Sequence, residues 1–355
     1  MGFRSFAFHP DFGRPDRAGH GKLYTIGTET VRSWDSKTAL FSGPFPVQHH
    51  NVVAEWSVDA GNPSQVRLDS RREILRIAQY RTDHNADQLM FNPNLRPGED
   101  GYGAMFIGVG DGGNWPARPD PFDQAQDPRR ALGKILRIDP LASGRQAYRV
   151  PLGNPFRGRP GWLDEIWALG LRHPQNLSFD RVAGGAMIVT DIGQNHIEEV
   201  NLGRRGANYG WPLREGTFVT NRNDPNILYA RPPAERGFTY PVVQYDRSEA
   251  KGLGKAAIAG GFVYRGRAVP ALVGHYLFGD LVSGRVFHVP VRDLQQGKQT
   301  AAKELTLRHR GRVVTLMALV GGANRRVDLR FGQDEAGEIY ILTKQDGHVR
   351  RLAPA

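Results

Sequence analysis

A histidine and an aspartate stand at positions where a β-hairpin would bring them together. His84 lies just before an apolar segment at 88–93, and Asp111 directly follows the next such segment, 103–110. A hairpin returns the end of its second strand to the start of its first, so we expect Asp111 close to His84. A carboxylate that accepts from one imidazole nitrogen raises the basicity of the other, which suits a general base. The alternative is a hydrogen-bonded loop corner with no catalytic role.

A second hairpin is predicted between residues 176–180 and 185–190, and polar residues stand at both of its ends. Arg172 precedes its first strand, and the five fixed donors of a guanidinium are suited to binding an anion. The plainer alternative is a salt bridge from Arg172 to Asp164 or Glu165.

The other end of this hairpin carries a candidate metal site. Gly193 and Gln194 occupy a tight turn after the strand, where main-chain carbonyls can face a hard cation such as calcium. An ordinary turn is the alternative. His173 and His196 are too isolated in the sequence to suggest zinc. The glycine-rich run 110–113 lacks both the lysine of a P-loop and the oxygen spacing of an EF-hand.

The elements that must position these residues are short strands. The chain has 43 glycines and 24 prolines, and its pattern predicts no helix longer than two turns. Similar strands that begin with glycine recur at 21–27, 103–110, 185–191, 274–280 and 337–343. Other strands precede four of them, at 5–10, 88–93, 176–180 and 328–332. Paired strands that recur at uneven spacing are typical of an all-β protein, a β-propeller of four-stranded antiparallel blades.

We expect one propeller domain over residues 1–355, with the long loops 112–131 and 214–236 on its rim. The chain begins with a segment, 3–10, that reads as an inner strand. Either 347–352 completes the last blade alone, or a preceding strand is missing from the sequence.

Composition narrows the class of protein. Lys and Arg number 47 against 36 Asp and Glu, for a net charge of +11, but the arginines are scattered and form no nucleic-acid motif. The absence of cysteine excludes disulfides and thiolate metal sites. No apolar run approaches the roughly 18–20 residues that span a bilayer, and residues 1–8 lack the order of a signal peptide.

Taken together, these motifs resemble the soluble quinoprotein sugar dehydrogenases, six-bladed propellers that oxidise aldoses with pyrroloquinoline quinone (PQQ) and calcium. Hedgehog-interacting proteins carry the same propeller. The matching motifs run over nearly the whole chain, at 6–12, 84–85, 108–113, 132–139, 153–156, 170–175, 191–195, 208–212, 260–266 and 276–280. The resemblance implies an enzyme that takes a small sugar as substrate and passes electrons to an external acceptor, with no nucleic-acid partner. It also implies a periplasmic or secreted location.

The same resemblance implies a role for each site residue. His84 would be the base that removes the proton of the anomeric hydroxyl while hydride passes to the quinone, and Asp111 would orient it. Arg172 would stabilise negative charge on the quinone oxygen, and the carbonyls of Gly193 and Gln194 would hold calcium. The cofactor-binding residues it implies are Asp83, His84, Arg172, His173, Arg326 and Arg330.

The sequence departs from the family's pattern at three places. Ala86 and Asp87 stand where two glycines are usual, and His173 stands where asparagine is common. The lysine that binds the cofactor's carboxylates would fall near residues 282–283, where there is none, and Arg285 is two positions further on. These departures motivate a second hypothesis, a propeller of the same fold that no longer binds PQQ and serves as a carbohydrate- or anion-binding module.

Overall fold

The structure, a computed structural model, describes residues 2–31, 47–113, 120, 123–141, 145–182, 184–232, 235–250, 256–322 and 326–354. Antiparallel β-strands make up most of its regular structure, as the sequence predicts. Helical structure within those ranges includes the α-helix α1 (Leu316–Leu319) and 3₁₀ turns at Arg247–Ala250, Pro270–Leu272 and Val291–Asp293. No helix of the described chain is long and apolar enough to cross a membrane.

The chain divides into two compact units, Met1–Gln175 with Arg204–Pro212, and Asn176–Gly203 with Leu213–Ala355. The first unit contains two four-stranded antiparallel sheets, each with its strands in sequence order. One sheet is formed by β1 (Phe3–Phe8), β2 (Lys22–Glu29), β3 (His49–Val58) and β4 (Val66–Gln79). The other is formed by β5 (Ala86–Phe91), β6 (Met105–Val109), β7 (Lys134–Ile138) and β8 (Ile166–Leu169).

The second unit repeats the four-stranded pattern in part. Its first sheet consists of β9 (Pro174–Phe179), β10 (Met187–Asp191), β11 (Ile197–Leu202) and β15 (Val243–Asp246), and the strand order is β15-β11-β10-β9. Another four-stranded sheet comprises β16 (Ile258–Ala259), β17 (His275–Asp280), β18 (Val286–Pro290) and β19 (Lys303–Glu304). Smaller sheets are formed by β20 (Leu307–His309) with β21 (Arg312–Val314), and by β22 (Leu329–Gln333), β23 (Ile339–Thr343) and β24 (His348–Arg351).

The predicted strand pairs are present as sheet neighbours. The pairs β1 with β2, β5 with β6, and β22 with β23 are antiparallel, and β9 lies beside β10. One predicted loop is wrong, because residues 214–236 include the three-stranded sheet β12 (Arg214–Glu215), β13 (Phe218–Thr220) and β14 (Leu228–Tyr229). These strands of two and three residues are too short to show a period of two in the sequence. The predicted loop 112–131 lies partly outside the described residues.

The hairpin of β5 and β6 is anchored in the apolar core of the first unit. Leu89, Met105, Ile107 and Val109 are at most 1% exposed and belong to one cluster of buried side chains. The side chains of β6 are buried along its whole length, which is why its sequence is a continuous apolar run rather than an alternating one. The ends of this hairpin are therefore rigidly placed for the polar residues that follow.

Candidate active site

His84 and Asp111 are in direct contact at the open end of the β5–β6 hairpin. The Nδ1 atom of His84 lies 2.6 Å from Oδ1 of Asp111, and the side chains are 9% and 1% exposed. Because a carboxylate can only accept, Nδ1 carries the hydrogen and Nε2 holds a lone pair. Within the described residues, Nε2 of His84 has no hydrogen-bond partner. The contact expected from the hairpin is present, and it leaves the basic nitrogen available.

The close approach depends on a glycine and on an unusual backbone at the histidine. A Cβ on Gly110 would lie 2.4 Å from the carbonyl oxygen of His84, so no other residue fits there without a shift of the chain. His84 itself has φ of 48°, in the left-handed region that non-glycine residues seldom occupy. Backbone strain of this kind is held in place only where the surroundings determine it, and it concentrates at functional sites.

Asp111 is held from every side. Its Oδ2 accepts from the indole N–H of Trp211 at 2.9 Å, and its Oδ1 accepts from the backbone N–H of Gly113 at 3.1 Å. The hydroxyl of Tyr80 donates to its carbonyl at 3.0 Å, and its own N–H donates to the carbonyl of Arg172 at 2.8 Å. The carboxylate is thus fixed in the orientation that receives the imidazole.

The electrostatics of the pair favour a neutral histidine beside an ionised aspartate. Burial lowers the pKa of His84 well below its usual value, and the positive charges of Arg172 and His173 lower it further. Burial raises the pKa of Asp111 to about 6, although Arg172 and the hydrogen bonds from Gly113 and Trp211 oppose the rise. At neutral pH the imidazole is therefore unprotonated, which is the state a general base requires.

Arg172 lies next to this pair in the first unit. It is 4% exposed, and its guanidinium carbon is 5.6 Å from the ring centroid of Trp211. The carbonyl bond to Asp111 ties the backbone of Arg172 to the same loop. A buried cation beside a neutral base suits a reaction in which negative charge develops close to the site of proton removal.

The two departures Asp87 and His173 contact each other. Nε2 of His173 lies 2.5 Å from Oδ2 of Asp87, and the ring of His173 stacks on that of His84 with centroids 4.8 Å apart. Asp87 also faces Arg4, with its Oδ1 atom 3.4 Å from Nη1 of the arginine. The sequence predicted none of these three contacts. The structure thus places a second imidazole–carboxylate pair against the first.

The carbonyl predicted to bind calcium is already engaged. In the second unit, the oxygen of Gly193 accepts from Nη1 of Arg247 at 2.7 Å, and Arg247 forms an ion pair with the fully buried Glu198. The guanidinium of Arg247 therefore occupies one side of this carbonyl, and a cation would compete with it for the oxygen. Gln194 is buried next to it. No cluster of three or more His, Asp or Glu side chains arranged for a metal is present in the described part of the chain.

The other predicted cofactor-binding residues have local partners. Arg326, whose side chain is 57% exposed, pairs with Asp328 at 2.6 Å, and Nη1 of Arg330 donates to the carbonyl of Leu329 at 2.8 Å. Asp83 is half-exposed and lies 3.6 Å from Nε of Arg81.

The predicted site residues fall into two groups. The structure brings His84, Asp111, Arg172 and His173 together in the first unit, whereas Gly193, Gln194, Arg326 and Arg330 belong to the second.

Residues 282–283, where the resemblance implies a lysine, are valine and serine. Val282 is buried, and the hydroxyl of Ser283 donates to Oδ1 of Asp280 at 2.7 Å. Arg285 is paired with Glu304 at 2.8 Å and lies 4.8 Å from the ring centroid of Phe287. Its side chain is directed to these neighbours.

Several supporting residues escaped the sequence analysis. Asn85 accepts at Oδ1 from the side chain of Asn51 at 2.9 Å and lies 2.6 Å from Nε2 of His49, and all three are at most 1% exposed. This buried polar network fixes the residue that follows the base. The sequence did contain a signal for this network, because His49 and Asn51 are polar residues in a largely apolar strand, β3. Trp211 was visible only as part of the motif at 208–212.

A cavity of about 870 Å³ lies elsewhere in the first unit. Its walls include Tyr102, Asp139, Tyr148 and Arg149. None of the predicted site residues is among the described residues that line it. The base and its neighbours are therefore not part of this cavity.

Comparisons with known proteins agree with the resemblance. The family model described as Glucose / Sorbosone dehydrogenase matches residues 40–351. The chain is 30% identical to the HIPL2 protein of Arabidopsis thaliana over 100% of this chain and 53% of the relative. It is 26% identical to the aldose sugar dehydrogenase YliI of Escherichia coli strain K12, over 99% of this chain and 89% of that protein. The chain spans about half the length of the plant relatives it matches.

A solved structure shares the fold. The PQQ-bound aldose sugar dehydrogenase of Streptomyces coelicolor superposes with a TM-score of 0.61 at 18% identity, over 99% of this chain and 80% of that one. Because the family model matches most of the length of this chain, the chain belongs to the glucose/sorbosone dehydrogenase family.

Proposed function

We propose that this protein oxidises the anomeric hydroxyl of aldose sugars to lactones, with PQQ as the hydride acceptor and His84 as the general base. The observation that carries the proposal is the buried His84–Asp111 pair, whose Nε2 atom is left without a partner among the described residues, beside the cation of Arg172. Membership of the family and the PQQ-bound structural neighbour support it.

The chain's own residues then divide the reaction between them. PQQ, when bound, supplies a two-electron acceptor for the hydride from the anomeric carbon. Nε2 of His84 takes the hydroxyl proton, and the carboxylate of Asp111 balances the positive charge that forms on the imidazole. Arg172 supplies a fixed, buried positive charge where negative charge develops. No step is assigned to calcium, because the Gly193 carbonyl accepts from Arg247.

Activity is expected to fall on the acid side of pH 6. The pKa of Asp111 is raised to about 6, so below that pH the carboxylate takes up a proton and no longer stabilises a charged imidazole. Above pH 6, the carboxylate of Asp111 is ionised and His84 is neutral, so kcat/KM should not change with pH. A pH profile of kcat/KM for dye reduction checks this, with Asp111→Asn as the comparison variant. A rate that rises as the pH falls below 6 would rule out His84 as the base.

Binding of PQQ tests the proposal most directly. We expect isothermal titration of PQQ into the metal-free protein to show a dissociation constant below 1 μM, about −8 kcal/mol or tighter. The same sample should reduce a dye with at least one aldose from a broad panel. Absence of PQQ binding, both in EDTA and in excess calcium, would overturn the proposal. If binding requires calcium, the arrangement of Arg247 on Gly193 is not the one that functions.

A second function is favoured by specific contacts in the second unit. Arg247 at Gly193, the pairing of Arg285 with Glu304, and the buried Val282 all differ from a site that clamps a metal and a tricarboxylate. In this reading the protein is a carbohydrate- or anion-binding module of the same fold. Isothermal titration that shows binding of a sugar, together with no binding of PQQ, would support this second function.

The remaining features of the proposal follow the family resemblance. We propose that the sheets are blades of one six-bladed propeller and that the protein acts in the periplasm or outside the cell. Each turnover leaves the cofactor reduced, so an external electron acceptor is required as a partner.

A further inference from the structure

A second imidazole–carboxylate pair covers one face of the proposed base. The rings of His173 and His84 are nearly parallel, at 26°, with centroids 4.8 Å apart. On the other edge of His173, Nε2 is bound to Oδ2 of Asp87 at 2.5 Å. The side chains of Asp87 and His173 are only 9% and 13% exposed. Two histidines, His84 buried and His173 partly buried, thus lie face to face, each with its own carboxylate.

The strand that carries Asp87 is built to present it. Ala86 pairs with Val109 and Gln88 pairs with Gly108, so Asp87 is the extra residue of a register shift in β5. A bulge of this kind bends the strand and redirects a side chain, and bulges are frequent next to active sites. Arg4 of β1 approaches the other oxygen of Asp87 at 3.4 Å. The carboxylate is therefore held between a histidine and an arginine.

The charges that face His84 are of both signs. Arg172 and His173 act on it as positive groups, while Asp83, Asp87 and its own partner Asp111 act as negative groups. Of these groups, His173 is the one whose ring lies against the ring of His84. Two stacked imidazoles resist being charged together because like charges at this distance repel strongly in a buried site.

We propose that Asp87 and His173 act as a positioning pair that holds the ring of His84 in place and sets how readily His84 takes up a proton. The carboxylate of Asp87 holds His173 by its Nε2 atom, and positive charge on His173 disfavours a charged His84. The pair therefore keeps His84 unprotonated to lower pH than Asp111 alone would. The effect of this pair on catalysis rests on the function proposed above. The effect of the pair on protonation of His84 does not depend on that function.

The test is an NMR titration of the protein labelled with ¹⁵N-histidine, in the absence of cofactor and substrate. His84 and His173 are assigned by the loss of their signals in His84→Asn and His173→Asn. In His173→Asn, the titration midpoint of His84 should rise by about 1 pH unit, a tenfold change in proton affinity. The exposed His20 provides the control, since His20→Asn should leave the His84 midpoint where it was. An unchanged midpoint in His173→Asn would overturn the proposal.

Variants of Asp87 provide a second measurement that keeps His173 in place. Asp87→Asn should shift the ¹⁵N signal of Nε2 of His173, which contacts Oδ2 of Asp87, whereas Asp87→Glu, which retains the carboxylate, should restore most of the wild-type signal position. An unchanged Nε2 signal in Asp87→Asn would also overturn the proposal. If these shifts occur in a protein that oxidises no aldose, the function proposed above is wrong and the proton coupling stands.

Discussion

Replacement of His84 by alanine is expected to reduce kcat/KM for aldose oxidation by about 10²–10⁴-fold, the usual contribution of a general base. In the wild type, Nε2 is the one basic atom of the His84–Asp111 pair that is left without a partner among the described residues. Alanine removes it and leaves Asp111 still bound to Trp211 and Gly113. The loss should therefore come from the missing base and not from collapse of the loop.

The measurement is dye reduction after reconstitution with PQQ, with affinity for PQQ followed separately. His20→Ala serves as the matched control, because it removes an exposed imidazole from the same unit and should retain full activity. Wild-type rates in His84→Ala would show that proton removal occurs elsewhere. A normal PQQ affinity together with a large loss of rate would place His84 in the chemical step.

Truncation of Glu198 to alanine is expected to lower the free energy of unfolding by about 3–5 kcal/mol, the typical effect of removing one partner from a buried ion pair. Glu198 is fully buried, pairs with Arg247 and accepts from the backbone N–H of Ile258 at 2.9 Å. Without it, the Arg247 guanidinium stays in the protein interior with no carboxylate to balance its charge. Urea denaturation, followed by fluorescence, measures the change.

A surface pair in the same unit gives the matched control. Glu304 pairs with Arg285, but its side chain is 48% exposed, so Glu304→Ala should cost about 0–1 kcal/mol. The double variant Glu198→Leu with Arg247→Met should recover most of the stability, because it removes both charges together. Equal losses from Glu198→Ala and Glu304→Ala would mean that the Arg247 pair is not buried as described.

Local patterns were enough to predict the strand pairs and the contact of His84 with Asp111. Both residues belong to the ends of one hairpin, and a hairpin's register follows from its apolar segments and its turn. The fold was predicted from the resemblance to a family, because the motifs of that family occur in the same order along this chain. Neither source required knowledge of how distant segments pack.

Contacts that cross between elements were decided only by the tertiary structure. Asp87 and His173 are 86 residues apart, and their pairing depends on a bulge in β5 and on where the chain enters β9. From the sequence, each was a separate departure from a pattern; in the structure they are one pair. Arg247 stands 54 residues from the Gly193 carbonyl that it occupies. A sequence displays which groups are available, but which of them meet is settled by packing in three dimensions.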